Sequence, residues 1–187
     1  LSKEKNLGLF VYQNRRWDSD FLTVQKVIKS GQLGNICEYE AHYDRFRPEP
    51  PIETWKEDEK LGPGLLYNLG AHLIDQTLLL FGKPESIFAE IRKRRKNTGI
   101  IDYFNLSLYY SGHTAILRSS YLVKKEVAKF IIHGDNGSFI KTGSDPQEER
   151  LKAGWKADNP DLGIEADYDH GKLYTIKPDL MEKLSRV

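Results

Sequence analysis

The sequence predicts an α+β domain built on a largely antiparallel open sheet with helices on one face. Two amphipathic helical patterns in the first half of the chain each stop at glycine. A series of apolar or alternating segments in the second half is joined by tight turns, and strands joined in this way pair antiparallel. The 187 residues, 39% of them hydrophobic, suit one domain over 1–187 with a sizeable core.

The elements follow in order. "LSKEKN" has the composition of a charged helix end running into Gly8, and the chain opens at Leu1 rather than Met, so a preceding segment is expected. "LGLFVYQNRR" groups Leu9, Phe10, Val11 and Tyr12, which predicts a short buried strand ending in exposed polar groups. In "WDSDFLTVQKVIKSGQLG", Asp18 or Ser19 can cap a helix, Phe21, Val24, Val27 and Ile28 share one face, and Gly31 and Gly34 bracket its end. "NICEYEAHYDRFRP" sets Ile36, Glu38 and Glu40 against Cys37, Tyr39, Ala41 and Tyr43, a strand of period two. The proline- and charge-rich "RPEPPIETWKEDEKLGPG" is a long loop, the kind that often carries function. A helix over 64–81 comes next and ends at Gly82, Lys83 and Pro84. "ESIFAEIRKRR", "DYFNLSLYYS", "HTAILRSSYLV" and "VAKFIIHGDNGSFIKTG" read as strands, the last a hairpin about Asp135-Asn136-Gly137. "DPQEERLKAG" is a short helix, "WKADNPDLGIEADYDHGKLYTI" is irregular, and "PDLMEKLSRV" reads as a helical turn or two.

Composition excludes several classes. Lys and Arg total 28 against 27 Asp and Glu, a net charge of +1, so nothing draws the whole chain to nucleic acid or to an anionic membrane. The basic run Arg92 to Lys96 reads as a solvated strand end. No apolar run spans a membrane, and the opening lacks the apolar core of a signal peptide. The expected compartment is the cytoplasm. Cys37, the single cysteine, forms no intrachain disulfide and is expected to be a small buried hydrophobe. Tyr103, Leu106, Tyr109 and Tyr110 leave apolar groups for the outer sheet face. That face needs a cover, and a homo-oligomer through it is expected.

The helix in "GPGLLYNLGAHLID" interrupts an apolar pattern with Asn68, His72 and Asp75. Spacings of four and three put these on one stripe, so they can converge. Gly70 and Ala71 between them allow close approach. A histidine in such a place can equally be a packed residue satisfied by a neighbour. His72 and Asp75 can both reach one metal ion, but no further ligand pattern supports a metal, and none is expected. The "GPG" is too short to cradle a phosphate.

The same stretch resembles the motif of the Gfo/Idh/MocA oxidoreductases, roughly G-G-G-x-L-x-D-x-G-x-H-x-x-D, matched by Gly62, Gly64, Leu66, Gly70, His72 and Asp75. "VYQNRRWDSDFLTVQKVIKSGQLGNI" resembles the strand and helix that open the family's second domain. "TWKEDEKLGPG" resembles its Trp-Arg pair, with Lys56 for arginine. "DPQEERLKAG" and "YDHGKLYT" are similar to the branch of scyllo-inositol dehydrogenase-like enzymes. The resemblance covers nearly the whole chain. It implies a C-terminal domain of the glyceraldehyde-3-phosphate-dehydrogenase-like kind. The family's N-terminal Rossmann domain, which binds NAD or NADP, and its Glu-Lys-Pro lysine are not found in these residues, so this fragment is expected to be inactive by itself.

The resemblance further implies hydride transfer between NAD(P) and a sugar or cyclitol hydroxyl or ketone. It assigns His72 and Asn68 to catalysis, with Asn68 where the family carries aspartate. An amide cannot take up a proton but can orient a hydroxyl. It places Asp75, Arg15, Arg16 and Asn14 at the substrate, and Trp55, Lys56 and Trp17 at the cofactor. The alternative is a stand-alone, non-catalytic module that uses this fold to bind sugar or to assemble, and Asn68 supports it.

Overall fold

The computed structural model describes residues 1–50, 64–125 and 127–176, with the backbone of 183–184. In chain order it contains α1 (Ser2–Lys5), a 3-10 turn (Asn14–Trp17), α2 (Ser19–Ser30), β1 (Ile36–His42), a π-helical turn (Leu66–Gly70) running into α3 (Ala71–Phe81), β2 (Ser86–Arg92), β3 (Tyr103–Tyr109), β4 (Thr114–Ser120), β5 (Phe130–Gly134), β6 (Gly137–Lys141), α4 (Gln147–Lys152), β7 (Gly171–Thr175) and β8 (Lys183–Leu184).

One eight-stranded sheet runs β2-β3-β4-β1-β5-β6-β7-β8. Every pair is antiparallel except β1 with β4, where Glu38 lies beside Thr114 and His42 beside Arg118. This largely antiparallel sheet bears out the expected fold class. Alternation selects the covered face: Tyr39 and Ala41 of β1, Phe104, Leu106 and Leu108 of β3, Ala115 and Leu117 of β4 and Phe130 and Ile132 of β5 are all buried. Against them lie Phe21, Val24 and Val27 of α2 and Leu65, Leu69 and Leu73 before and within α3. Leu106 is therefore a core residue, not part of the outer face. Tyr103 does point outward, but Arg94 lies 3.5 Å above its ring. Phe88, Tyr109 and Tyr174 stay exposed on the outer side.

The chain departs from the sequence expectations in specific places. Leu9 to Tyr12 form no strand and are exposed, Phe10 by 90%. An apolar run becomes a strand only where a neighbour offers backbone partners, and none does so among the described residues. Cys37 is exposed because it is the extra residue of a β-bulge: Ile36 pairs with Gly134 and Glu38 with His133, which leaves Cys37 unpaired between them. Arg95, inside the basic run, is fully buried against Asp102 at 3.0 Å, and so is not a solvated strand end. The segment read as irregular contains β7, whose Leu173 packs opposite Phe139. Of "PDLMEKLSRV" only the two residues of β8 are described, and they pair with β7 as strand, not helix.

The expected 64–81 helix forms, but its first turn is π-helical. A Cβ at Gly70 would lie 3.0 Å from Leu66 and 3.2 Å from the Phe104 ring, so a side chain here would press this turn against β3. π-turns are uncommon and frequently mark functional helices.

Candidate functional site

The site is built where the 3-10 turn crosses α3. Arg16 grips Asp75 with two parallel hydrogen bonds, Nε to Oδ2 at 2.7 Å and Nη2 to Oδ1 at 2.6 Å. One residue further along α3, the buried Gln76 donates from Nε2 to the backbone oxygen of Arg15 at 2.8 Å. These bonds fix the turn against the helix. They also occupy Asp75, which therefore serves the turn instead of converging freely with Asn68 and His72. Asn68 lies in the π-turn and is exposed. His72 is half-buried. Its Nδ1 is shut off from solvent and has no partner among the described residues. Burial, and after it the positive charge of Arg15, holds the imidazole below its ordinary value, with Lys129 adding to the effect and Asp75 opposing it. A neutral imidazole results, suited to accepting a proton.

Arg15 is the hub. Its Nη2 donates to Glu148 Oε2 of α4 at 2.5 Å, its Nη1 to Asp18 at 3.4 Å, and its guanidinium lies 5.6 Å from the centre of the Tyr43 ring. Burial works against its charge, but Tyr43, Asp18 and Glu148 outweigh burial and raise its pKa. Glu148 also meets Lys152 at 2.8 Å. Hydrogen bonds from Lys152 and then Arg15 bring its carboxyl down to about 2. Gln147 ties α4 to the turn by donating to the backbone oxygen of Trp17 at 3.0 Å. Asn14 and Trp17 are exposed, and with Arg15, Asp18, Gln147 and Glu148 they line an open cleft of about 530 Å³.

Beneath the cleft is a buried polar network that sequence reasoning missed. Lys129 pairs with Asp20, and Asp145 accepts the amide of Ser19 at 2.5 Å. Ser19 also donates to Glu165, which meets the fully buried Lys141 at 3.2 Å. The legible signal was Asp20, which shares the α2 stripe of Val24 and Val27 at spacings of four and three. Burial, then the neighbouring Asp20, pushes the Asp18 carboxyl up to about 7, against Lys129 and Arg15. Stability linked to the neutral carboxyl is present below its ordinary value of 3.8 and is lost as pH rises through about 7. Asp18→Asn is therefore expected to flatten the fall in urea midpoint between pH 5 and pH 8. A variant with the same pH dependence as the parent would show that Asp18 does not titrate in this range.

The structure thus brings together Arg15, Arg16, Asp75 and, electrostatically, His72. It leaves Asn14, Trp17 and Asn68 exposed nearby. Trp55 and Lys56 lie outside the described residues. Among those described, no group of three or more His, Cys, Asp or Glu residues is placed to hold a metal ion, and no helix is long and apolar enough to cross a membrane.

Residues 21–140 match the model of the GFO/IDH/MocA C-terminal domain. The chain is 44% identical over 174 residues to scyllo-inositol 2-dehydrogenase (NADP(+)) IolW of Bacillus subtilis, covering 93% of this chain and 48% of that protein. It is 42% identical over 163 residues to the uncharacterized oxidoreductase YdgJ of Escherichia coli K12, covering 86% and 47%. The crystal structure of an oxidoreductase from Bacillus cereus superimposes with a TM-score of 0.84 at 35% identity, over 99% of this chain and 54% of that one. The chain spans about half the length of the curated relatives it matches.

Proposed function

The chain belongs to the Gfo/Idh/MocA oxidoreductases through their C-terminal domain, and from that premise we propose that it forms the substrate side of an enzyme transferring hydride between NAD(P) and a ring hydroxyl of a cyclitol or sugar. The supporting observation is His72. It is a half-buried histidine kept neutral by burial and by Arg15, with one ring nitrogen shut off from solvent and without a partner among the described residues. Oxidising a secondary alcohol requires a group that takes the hydroxyl proton as hydride leaves for the nicotinamide, and a neutral imidazole does this near pH 7. Asn68 orients the hydroxyl without sharing its proton. Arg15, held by Glu148 and Asp18, and Asn14 bind the remaining hydroxyls. Arg16 and Asp75 hold the turn that carries them. Trp17, Trp55 and Lys56 are assigned to cofactor binding.

The 187 residues contain no glycine fingerprint for a dinucleotide. The reading therefore assigns NAD(P) affinity to a separate Rossmann domain, and this chain alone to no turnover. The name of IolW carries NADP(+) and scyllo-inositol, which makes these the first pair to assay. Reduction of NADP+ or NAD+ by scyllo-inositol, followed at the nicotinamide absorbance with the full-length protein, is the expected result. No reduction with any cyclitol or sugar would sink the reading and leave the binding module. The outer sheet face, with Phe88, Tyr109 and Tyr174 exposed, is assigned to self-association. Light scattering is expected to report two or more copies, and a strict monomer at high concentration would overturn that assignment.

A further inference from the structure

The outer sheet face is not evenly polar. The alternation that turns Tyr39, Ala115, Leu117 and Phe130 into the core turns Glu40, Ile116 and Ile131 outward. Register sets these side by side. Glu40 of β1 lies beside Ile116 of β4 on one side and Ile131 of β5 on the other, and Ile131 lies beside Ile140 of β6. The three isoleucines are half-buried and take no part in the core. Four neighbouring strands thus carry one apolar row across the middle of the sheet, and a single carboxylate interrupts it.

Two positions along β1, on the same face, His42 meets that carboxylate. Its Nε2 is 3.2 Å from Glu40 Oε2, and its Nδ1 is 3.4 Å from Asp44 Oδ2. A neutral imidazole has one N–H and can donate to only one of the two; the charged ring donates to both. Asp44 is tied down, since its Oδ1 accepts the Ser120 amide at 2.9 Å. Glu40 has no second partner among the described residues, and its side chain is 27% exposed. It is therefore the carboxylate that loses its donor when the ring becomes neutral. The other charges about the ring are few. Arg118 of β4 stands opposite His42 in register, and Arg45 and Lys129 line one small cleft with it. Lys129 is spent on Asp20. Glu38, next along the face, lies beside His133 of β5. Burial works against the imidazolium, but the hydrogen bonds to Asp44 and Glu40 outweigh burial and hold its pKa above the ordinary 6.5.

We propose that self-association through the outer face is gated by pH at the Glu40–His42 pair: two copies meet while the imidazolium cancels the carboxylate and part when the ring loses its proton. A second copy laid on the isoleucine row takes Glu40 out of water, and a carboxylate without a paired cation is costly to bury. Glu40 is already neutralised within its own chain, so the row suits an identical face better than a cationic partner. Once His42 is neutral, a two-fold interface brings in two bare carboxylates, one from each copy. The inference rests on the outer face being the self-association surface, and the test separates the two.

The test is light scattering of the full-length protein over a dilution series at pH 6 and pH 9, for the parent, Glu40→Gln and His42→Gln. The parent's dissociation constant is expected to be at least about tenfold higher at pH 9. Glu40→Gln removes the carboxylate and should associate equally at both pH values. His42→Gln should associate at both as weakly as the parent does at pH 9. Glu40 is partly exposed, so its variant keeps the test open if the more buried His42 does not tolerate replacement. A parent that associates no more weakly at pH 9 than at pH 6 overturns the gate and leaves the interface. A Glu40→Gln variant with the parent's pH dependence also overturns the gate. A parent that is monomeric at both pH values overturns the interface and the gate together.

Discussion

Replacing His72 with Ala is expected to lower kcat/KM of the full-length protein for a cyclitol by about 10²- to 10⁴-fold, the usual contribution of a positioned acid or base. It is also expected to erase one limb of the pH profile, and the sign of that limb follows from the site. Burial and Arg15 keep the folded imidazole below its ordinary value of 6.5. Alcohol oxidation needs the neutral ring, so the rate should be on its plateau at pH 7 and fall only as pH drops below 6.5. Ketone reduction needs the charged ring and should fall as pH rises through the same region. The lowered value also means that stability from the neutral ring is present above 6.5 and lost on acidification through the folded value. Steady-state rates from pH 5 to pH 9 in both directions decide the matter. An acid limb that survives in His72→Ala would take the proton away from this residue.

The second large effect is structural. Asp102→Ala is expected to destabilise the chain by about 3–5 kcal/mol, as breaking a buried ion pair from one side does. The side chains of Arg95 and Asp102 are both 0% exposed. Asp102 also accepts the backbone amides of Arg94 at 2.6 Å and Arg95 at 2.8 Å. Its removal would leave the buried guanidinium without this carboxylate, though Arg47 and Thr98 still accept from it, and would unpair two backbone donors. The neighbouring Arg94 is partly exposed, pairing with Glu90 and lying over Tyr103, and Arg94→Ala should destabilise by less than Asp102→Ala, about 1 kcal/mol. Urea midpoints of the two variants make the comparison. Equal midpoints would mean that the Asp102 carboxylate adds little beyond the contacts Arg95 keeps with Arg47 and Thr98.

This pair also marks how far sequence reading reaches. The α2 helix, the alternation in β1 and the β5–β6 hairpin were all legible because each is set by residues within a few positions of one another. The burial of Arg95 was not, because a basic run announces solvent unless one knows that Asp102 folds back seven residues later to meet its third arginine. The Leu9–Tyr12 run failed for the complementary reason. Its composition suits a strand, but pairing is a property of neighbours. Of the site, His72 and Asp75 were visible in motif spacing, and Arg16 only from its place past an expected strand end, without its pairing to Asp75. Tyr43, Lys129 and Glu148 were not, because three separate elements bring them to Arg15. Lys129 sat inside a strand pattern whose inward alternation gave no hint of a cation at its end.

The placement of β1 has a consequence for how the molecule comes into being. Its two neighbours, β4 and β5, begin at Thr114 and Phe130, long after β1 itself has left the ribosome. A nascent chain therefore carries Tyr39 and Ala41 bare until more than seventy later residues have been made, while β2, β3 and β4 can zip together locally as soon as they emerge. The central strand thus waits for β4 to be made before it has an edge to join, and slow translation or a weakened β4 would lengthen the interval in which that segment is open to chaperones or to aggregation.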